Sequence, residues 1–183
     1  MWRLFRSPLR RQFDVLASGW EERVGPEGLI PLGAALDKLE RPPARVLDLG
    51  TGTGKGARVV AKRFPGAEVV GVDISPAMIE RARDLLPEEL RGRVRFEVAD
   101  ASELQFEDGA FDLVTLLNMI PFFEELARVV AHGGRLAFAF SFGAETPIYV
   151  PAETLRERLG PLGFGRFEEI AAGRGSAFLA TRE

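Results

Sequence analysis

With 183 residues, a formal net charge of −3 and no cysteine, the chain is long enough for one well-buried domain and has no disulfide, thiol nucleophile or Cys-ligated metal. Its single histidine, His132, cannot build a multi-histidine metal centre, so no metal is expected, and 24 basic against 27 acidic residues ask for no nucleic-acid partner. No apolar run approaches the roughly 20 residues that cross a bilayer, and the Arg-studded start lacks a signal peptide's apolar stretch, so no integral membrane segment is expected and the expected location is the cytoplasm.

Residues 1–40 read as an N-terminal helical arm or lid and 41–183 as the main domain, with Arg41-Pro42-Pro43 between them. In the arm, Trp2, Phe5, Leu9 and Phe13 recur at helical spacing among Arg3, Arg6, Arg10 and Arg11, with Pro8 interrupting the pattern. Such a stripe is expected to pack on its own domain; the alternative is a basic amphipathic surface for a membrane or an acidic partner. Strands are predicted at 44–49, 67–72, 94–99, 111–117, 134–140, 165–171 and 176–181. Helices are predicted at 54–64, 76–86, 121–131 and 151–159, with one or two more inside 8–40. Ser75-Pro76 reads as an N-cap followed by proline at the first helical position, and Gly133-Gly134 as the stop of the 121–131 helix.

Strand and helix alternate, which implies an α/β fold: a Rossmann-like open parallel sheet with helices on both faces. The third strand alternates, Arg93-Val94-Arg95-Phe96-Glu97-Val98, and belongs near an edge, whereas the first, fourth and fifth are nearly all apolar and belong at the centre. That gives strand order 3-2-1-4-5, with a C-terminal hairpin at one edge completing seven strands.

The most informative stretch is Val46-Leu47-Asp48-Leu49-Gly50-Thr51-Gly52-Thr53-Gly54-Lys55-Gly56. A buried strand, a glycine turn and a helix start form the place where an open α/β sheet binds a nucleotide. Asp48, just before the first glycine, would repel a pyrophosphate but suits a ligand carrying an ammonium group. S-adenosylmethionine, an adenosine with a cationic amino-acid tail and no phosphate, is such a ligand. Gly52-Thr53-Gly54-Lys55-Gly56-Ala57 also satisfies the G-x-G-x-x-A form of a dinucleotide fold, so a nicotinamide-dependent oxidoreductase stands as an alternative. A P-loop fails, because the positions that need glycine before Lys55 and Ser/Thr after it are Leu49 and Gly56.

Val46–Gly54, Val70-Gly71-Val72-Asp73-Ile74-Ser75, Val98-Ala99-Asp100-Ala101, Phe111-Asp112-Leu113-Val114 and Leu126-Ala127-Arg128-Val129-Val130, with Gly133-Gly134-Arg135-Leu136, follow in order. Together they closely resemble the class I S-adenosylmethionine-dependent methyltransferases over about residues 44–142. Upstream, Phe13-Asp14-Val15-Leu16-Ala17-Ser18-Gly19-Trp20-Glu21 looks like the F-D-x-x-A-x-x-[YW]-[DE] motif of the ubiquinone/menaquinone-type members. The resemblance implies S-adenosylmethionine as cofactor. Gly50, Thr51, Gly52 and Gly54 would wrap its methionine part, with Asp48 facing the amino group directly or through water. Asp73 would accept the ribose hydroxyls and Ile74 would pack on the adenine face. Asp100 would take the adenine amino group, and the Ala101 N–H a ring nitrogen.

Asn118 follows the fourth strand and either points its amide toward the transferred methyl or caps the helix beginning near Pro121. The family's longer loop over the active site is compressed here, so residues 1–30 and 141–149 are left to shape the acceptor pocket. The catalytic residues stay unknown: any base would come from Asp14, Glu145 or Tyr149. His132 is expected at the far end of the sheet as a solvated helix cap. The function expected is transfer of a methyl group to a small-molecule or lipid-like acceptor; the alternative from another class is a non-catalytic S-adenosylmethionine-binding module.

Overall fold

The apolar run after Pro43 forms β1 (Arg45–Leu49), which pairs in parallel on one side with β2 (Glu68–Asp73) and on the other with β4 (Phe111–Leu117). This is a computed structural model, and it describes residues 2–23 and 25–183, with backbone alone for 2–5, 22 and 23. β3 (Val94–Val98) lies outside β2, with Val94 and Phe96 buried and Arg95 exposed, the half-wet edge its alternation predicts. β5 (Val130–Phe140) continues the parallel set beside β4. The chain then returns as an antiparallel hairpin, β6 (Phe164–Ala172) and β7 (Gly175–Arg182), with β7 against β5. The order is therefore β3-β2-β1-β4-β5-β7-β6, as expected.

Side chains alternate across the sheet, so each face builds its own core. On one face α3 (Ile30–Asp37), α4 (Lys55–Arg63) and α5 (Pro76–Asp84) bury Leu32, Leu36, Val60 and Ile79 against Val46, Val69 and Leu113. On the other, α6 (Phe123–Val129) and α7 (Ala152–Leu159) bury Leu126, Leu155 and Leu159 against Leu47, Val114 and Phe138. Each such side chain contributes about 1.5–3 kcal/mol relative to exposure. Ser75 caps α5 as predicted, accepting a bond from Met78 N at 3.1 Å.

Two local readings are corrected. The predicted helix 121–131 is shorter, and Gly133-Gly134 does not stop it: α6 ends at Val129, and Val130 already has extended backbone and pairs with Phe111. The pairing then jumps to Leu113 opposite Arg135, leaving residues 131–134 as a bulge. Gly133 supplies the left-handed residue of that bulge, at φ +77°, and a Cβ on Gly134 would lie 2.8 Å from the Ala131 carbonyl. His132 thus sits in a strand bulge rather than on a helix end, with its Nδ1 3.0 Å from the Glu183 carbonyl oxygen, away from the glycine turn.

The second correction concerns the arm. Pro8 does not break it: α1 (Trp2–Leu16) runs continuously through that residue, and a single turn, α2 (Trp20–Arg23), follows. α1 packs against α5. Of the predicted stripe, Leu9 and Phe13 are half-buried; the side chains of Trp2 and Phe5 lie outside the described residues. Among the described residues no helix is long and apolar enough to cross a membrane, and no group of three or more His, Asp or Glu is placed to hold a metal.

Candidate active site

Asp48 is a buried carboxylate at the carboxyl edge of the sheet, only 1% exposed. It does not open onto the surface. Thr51 donates its hydroxyl to one carboxylate oxygen at 2.6 Å, and Thr115, directly opposite in the β1–β4 register, donates to the other at 2.7 Å. Thr115 was not picked out from the sequence. Its signal was a lone hydroxyl within the apolar run Leu113–Leu117, which needs a buried partner. Burial raises the Asp48 pKa above its ordinary 3.8, while bonds from Thr51, Thr115 and the Ala57 backbone pull it back down.

That direction has a consequence for stability. The folded chain holds the Asp48 proton at a pH where the unfolded chain has released it, so this group's contribution to stability falls as pH rises from 3.8 through the higher folded value. The melting temperature of Asp48→Asn, relative to the parent chain, is therefore expected to climb across that window. A flat difference would mean that Asp48 is ionised in the fold throughout.

Above Asp48 the chain makes its glycine turn. Gly50, Gly52 and Gly54 have φ of +71°, +53° and +83°, a left-handed series that other residues adopt at a cost. The turn is pinned to β2, because the Gly50 and Thr51 amides both donate to the Val72 carbonyl at 2.9 Å. Asp73 completes the attachment, accepting from Gly52 N and Ser75 N, each at 2.9 Å. Its pKa is also raised by burial, against the lowering effect of those two amides. The Ile74 amide bonds to it as well, and a carboxylate's roughly four acceptor positions still leave room for a ligand hydroxyl. Ile74 beside it is half-buried.

The arm lies across this edge. The Trp20 indole covers the turn: a Cβ on Gly52 would lie 3.1 Å from its Nε1. Phe13 supports that indole edge-on, with centroids 5.7 Å apart. The Glu21 carboxylate accepts the Thr53 hydroxyl at 2.5 Å and lies 3.7 Å from the Lys55 ammonium and 3.5 Å from the Arg58 guanidinium. Asp14 accepts the Ser75 hydroxyl at 2.6 Å. Arg6 reaches Asp100 at 3.3 Å. Asp100 also accepts the Ser102 amide and hydroxyl at 2.9 and 2.7 Å, and Ala101 beside it is buried. The arm therefore touches the ends of β1, β2 and β3 in turn. Trp20, Glu21, Lys55 and Arg58 were not named as site residues from the sequence.

Asn118 ends β4 with φ +51° and pairs with Ser141 at the end of β5, donating to its hydroxyl at 2.8 Å and accepting its amide at 2.9 Å. It does not cap α6, whose N-cap is Phe122. The three candidate bases are scattered: Asp14 is bound to Ser75, exposed Glu145 faces Arg174 at 3.6 Å, and Tyr149 packs edge-on to Phe140 with centroids 5.0 Å apart. Beside Tyr149 a cavity of about 260 Å³, walled by Phe140, Leu155 and Phe178, lies between α7 and the hairpin.

Residues 46–134 match the family model of a methyltransferase domain. The central portion of the chain is therefore a methyltransferase domain. The domain is 50% identical over 106 residues to a demethylmenaquinone methyltransferase of Thermus thermophilus, covering 54% of this chain and 47% of that protein. It is 37% identical over 150 residues to a malonyl-[acyl-carrier protein] O-methyltransferase of Halorhodospira halophila, covering 77% of this chain and 50% of that protein. The chain spans about half the length of these relatives. The methyltransferase fold is shared with a solved SAM-dependent methyltransferase of Aquifex aeolicus, at TM-score 0.70 and 18% identity, over 91% of this chain and 98% of that one.

Proposed function

We propose that the chain binds S-adenosylmethionine along the carboxyl edge of β1, β2 and β3 and transfers its methyl group to a small-molecule or lipid-like acceptor in the cytoplasm. The observation that carries this reading is the left-handed glycine turn held beside the Asp73 carboxylate. The residues fit the group: a glycine turn receives the methionine tail, Asp73 has acceptor capacity left for the ribose, and Asp100 and Ala101 follow β3 where the adenine edge belongs in this reading. Asp48, sealed beneath the turn, favours a cationic ligand through its charge rather than by contact. When bound, S-adenosylmethionine supplies an electrophilic methyl on a sulfonium centre with a good leaving group. The chain's own work is then to position the acceptor in line and exclude water, which needs no dedicated base. The two similar relatives are named for unlike acceptors, which supports a shared donor half and leaves the acceptor to this chain's own loops. The aromatic cavity beside Tyr149 and the loop 141–149 are the acceptor wall in this reading.

Calorimetry with S-adenosylhomocysteine, followed by a methyl-transfer screen against phenols, quinols, amines and carboxylic acids, tests the proposal. Binding with no transfer to any acceptor would leave a binding module; no binding would remove the donor as well.

The arm acts as a lid in this proposal, because Trp20 and Phe13 lie where a ligand must enter. Amides of residues 6–21 are expected to exchange faster than those of α4 and to slow on addition of S-adenosylhomocysteine. Equal protection in both states would make the arm a fixed part of the domain.

A further inference from the structure

We infer that Thr53, Lys55 and Arg58 form the receptor for the carboxylate of the ligand's amino-acid tail, and that Glu21 is an internal carboxylate competing for it. This rests on the S-adenosylmethionine reading above.

The cradle belongs to the turn and not to the arm. Thr53 is 1% exposed and aims its hydroxyl at Glu21. Arg58 donates to the Thr53 carbonyl at 2.7 Å, which fixes the guanidinium to the loop. Lys55, the first residue of α4, donates to the Glu21 backbone carbonyl at 2.6 Å while its ammonium also faces the Glu21 carboxylate. Two cations and a hydroxyl thus converge on one carboxylate, at a helix N-terminus whose dipole favours an anion. The buried Asp48 lies beneath the first turn of α4, where a Cβ on Gly56 would come within 2.8 Å of its carboxylate, and both of its oxygens are already engaged by Thr51 and Thr115.

Glu21 is suited to yield. Its side chain is 32% exposed, so the ion pairs are partly solvated and weak. Rotation of that one side chain clears the cradle and leaves Trp20 over Gly52. The arm then competes with the charged tail but not with the nucleoside, so Glu21 sets how strongly the site prefers ligands that carry a tail.

The test is calorimetry of the full chain with S-adenosylhomocysteine and with 5′-methylthioadenosine, which keeps the nucleoside and thioether but lacks the amino-acid tail. The quantity read is the ratio of the two dissociation constants. In Glu21→Gln, which keeps an acceptor for Thr53 and removes the charge, the preference for S-adenosylhomocysteine is expected to rise about fivefold. In Lys55→Gln and Arg58→Gln it is expected to fall by about as much. An unchanged ratio, or both ligands shifting together, overturns the inference and makes Glu21 only an anchor of the arm. If Glu21→Gln fails to fold, the two cation variants decide on the same criterion. A parent chain that binds both ligands equally well defeats this inference alone; one that binds neither defeats the donor reading beneath it.

Discussion

Replacing Gly52 with valine is expected to abolish binding of S-adenosylhomocysteine while leaving a folded protein. Gly52 sits at φ +53°, where a β-branched residue is a genuine outlier and costs about 1–3 kcal/mol. Its Cβ would also lie 3.1 Å from the Trp20 indole nitrogen, in the space between turn and arm. Neither penalty reaches the core, and a domain with about 5–15 kcal/mol of stability survives both. Gly54 is a poorer probe, since a Cβ there would lie 2.6 Å from the Phe96 ring and disturb the core itself. Circular dichroism melting checks the fold and calorimetry the binding. A folded variant that binds normally would reduce the glycines to turn residues.

Asp73→Ala carries the second large effect. If Asp73 accepts the ribose hydroxyls as proposed, removing its carboxylate is expected to cost about 2–4 kcal/mol, roughly a 30- to 1,000-fold loss in affinity for S-adenosylhomocysteine. Part of that loss comes through the turn, because Asp73 also holds the Gly52 amide. Asp73→Asn is the companion variant. Because burial raises the Asp73 pKa, the parent chain's affinity should begin to drop on acidification at a higher pH than an ordinary carboxylate would give. The asparagine variant, unable to titrate, should show no such drop. Full affinity in a folded alanine variant would take Asp73 out of the site.

The sheet was legible because its signals are local. An all-apolar strand, an alternating strand and a glycine turn each state their position by composition, and the order 3-2-1-4-5 follows from them. The ends of elements were less so: Gly133-Gly134 reads equally as a helix stop or a strand bulge, and only the pairing of Val130 with Phe111 decides between them. The contacts between arm and edge were not legible at all. Glu21 with Lys55 and Arg58, Asp14 with Ser75 and Arg6 with Asp100 join residues far apart in sequence, and such pairs leave no periodicity to read. Asp48 was picked out by its place just before the turn, and Asp73 through the family resemblance. That both are largely buried, and that Asp48 is sealed by two threonines, needed the register of β1 against β4.

The clasp between Asn118 and Ser141 gives the segment after β5 a rigid point of departure. It locks the ends of β4 and β5 to each other with two hydrogen bonds, and the Ser141 hydroxyl also donates to the Gly28 carbonyl at 2.8 Å. Whatever is spliced between Ser141 and α7 starts from a fixed point at the carboxyl end of β5, two strands along from the glycine turn. Doubling the length of such a segment adds only about 0.6 kcal/mol of closure entropy. On the proposed function, a longer cap grafted there is expected to change the choice of acceptor while leaving the affinity for S-adenosylhomocysteine as it was.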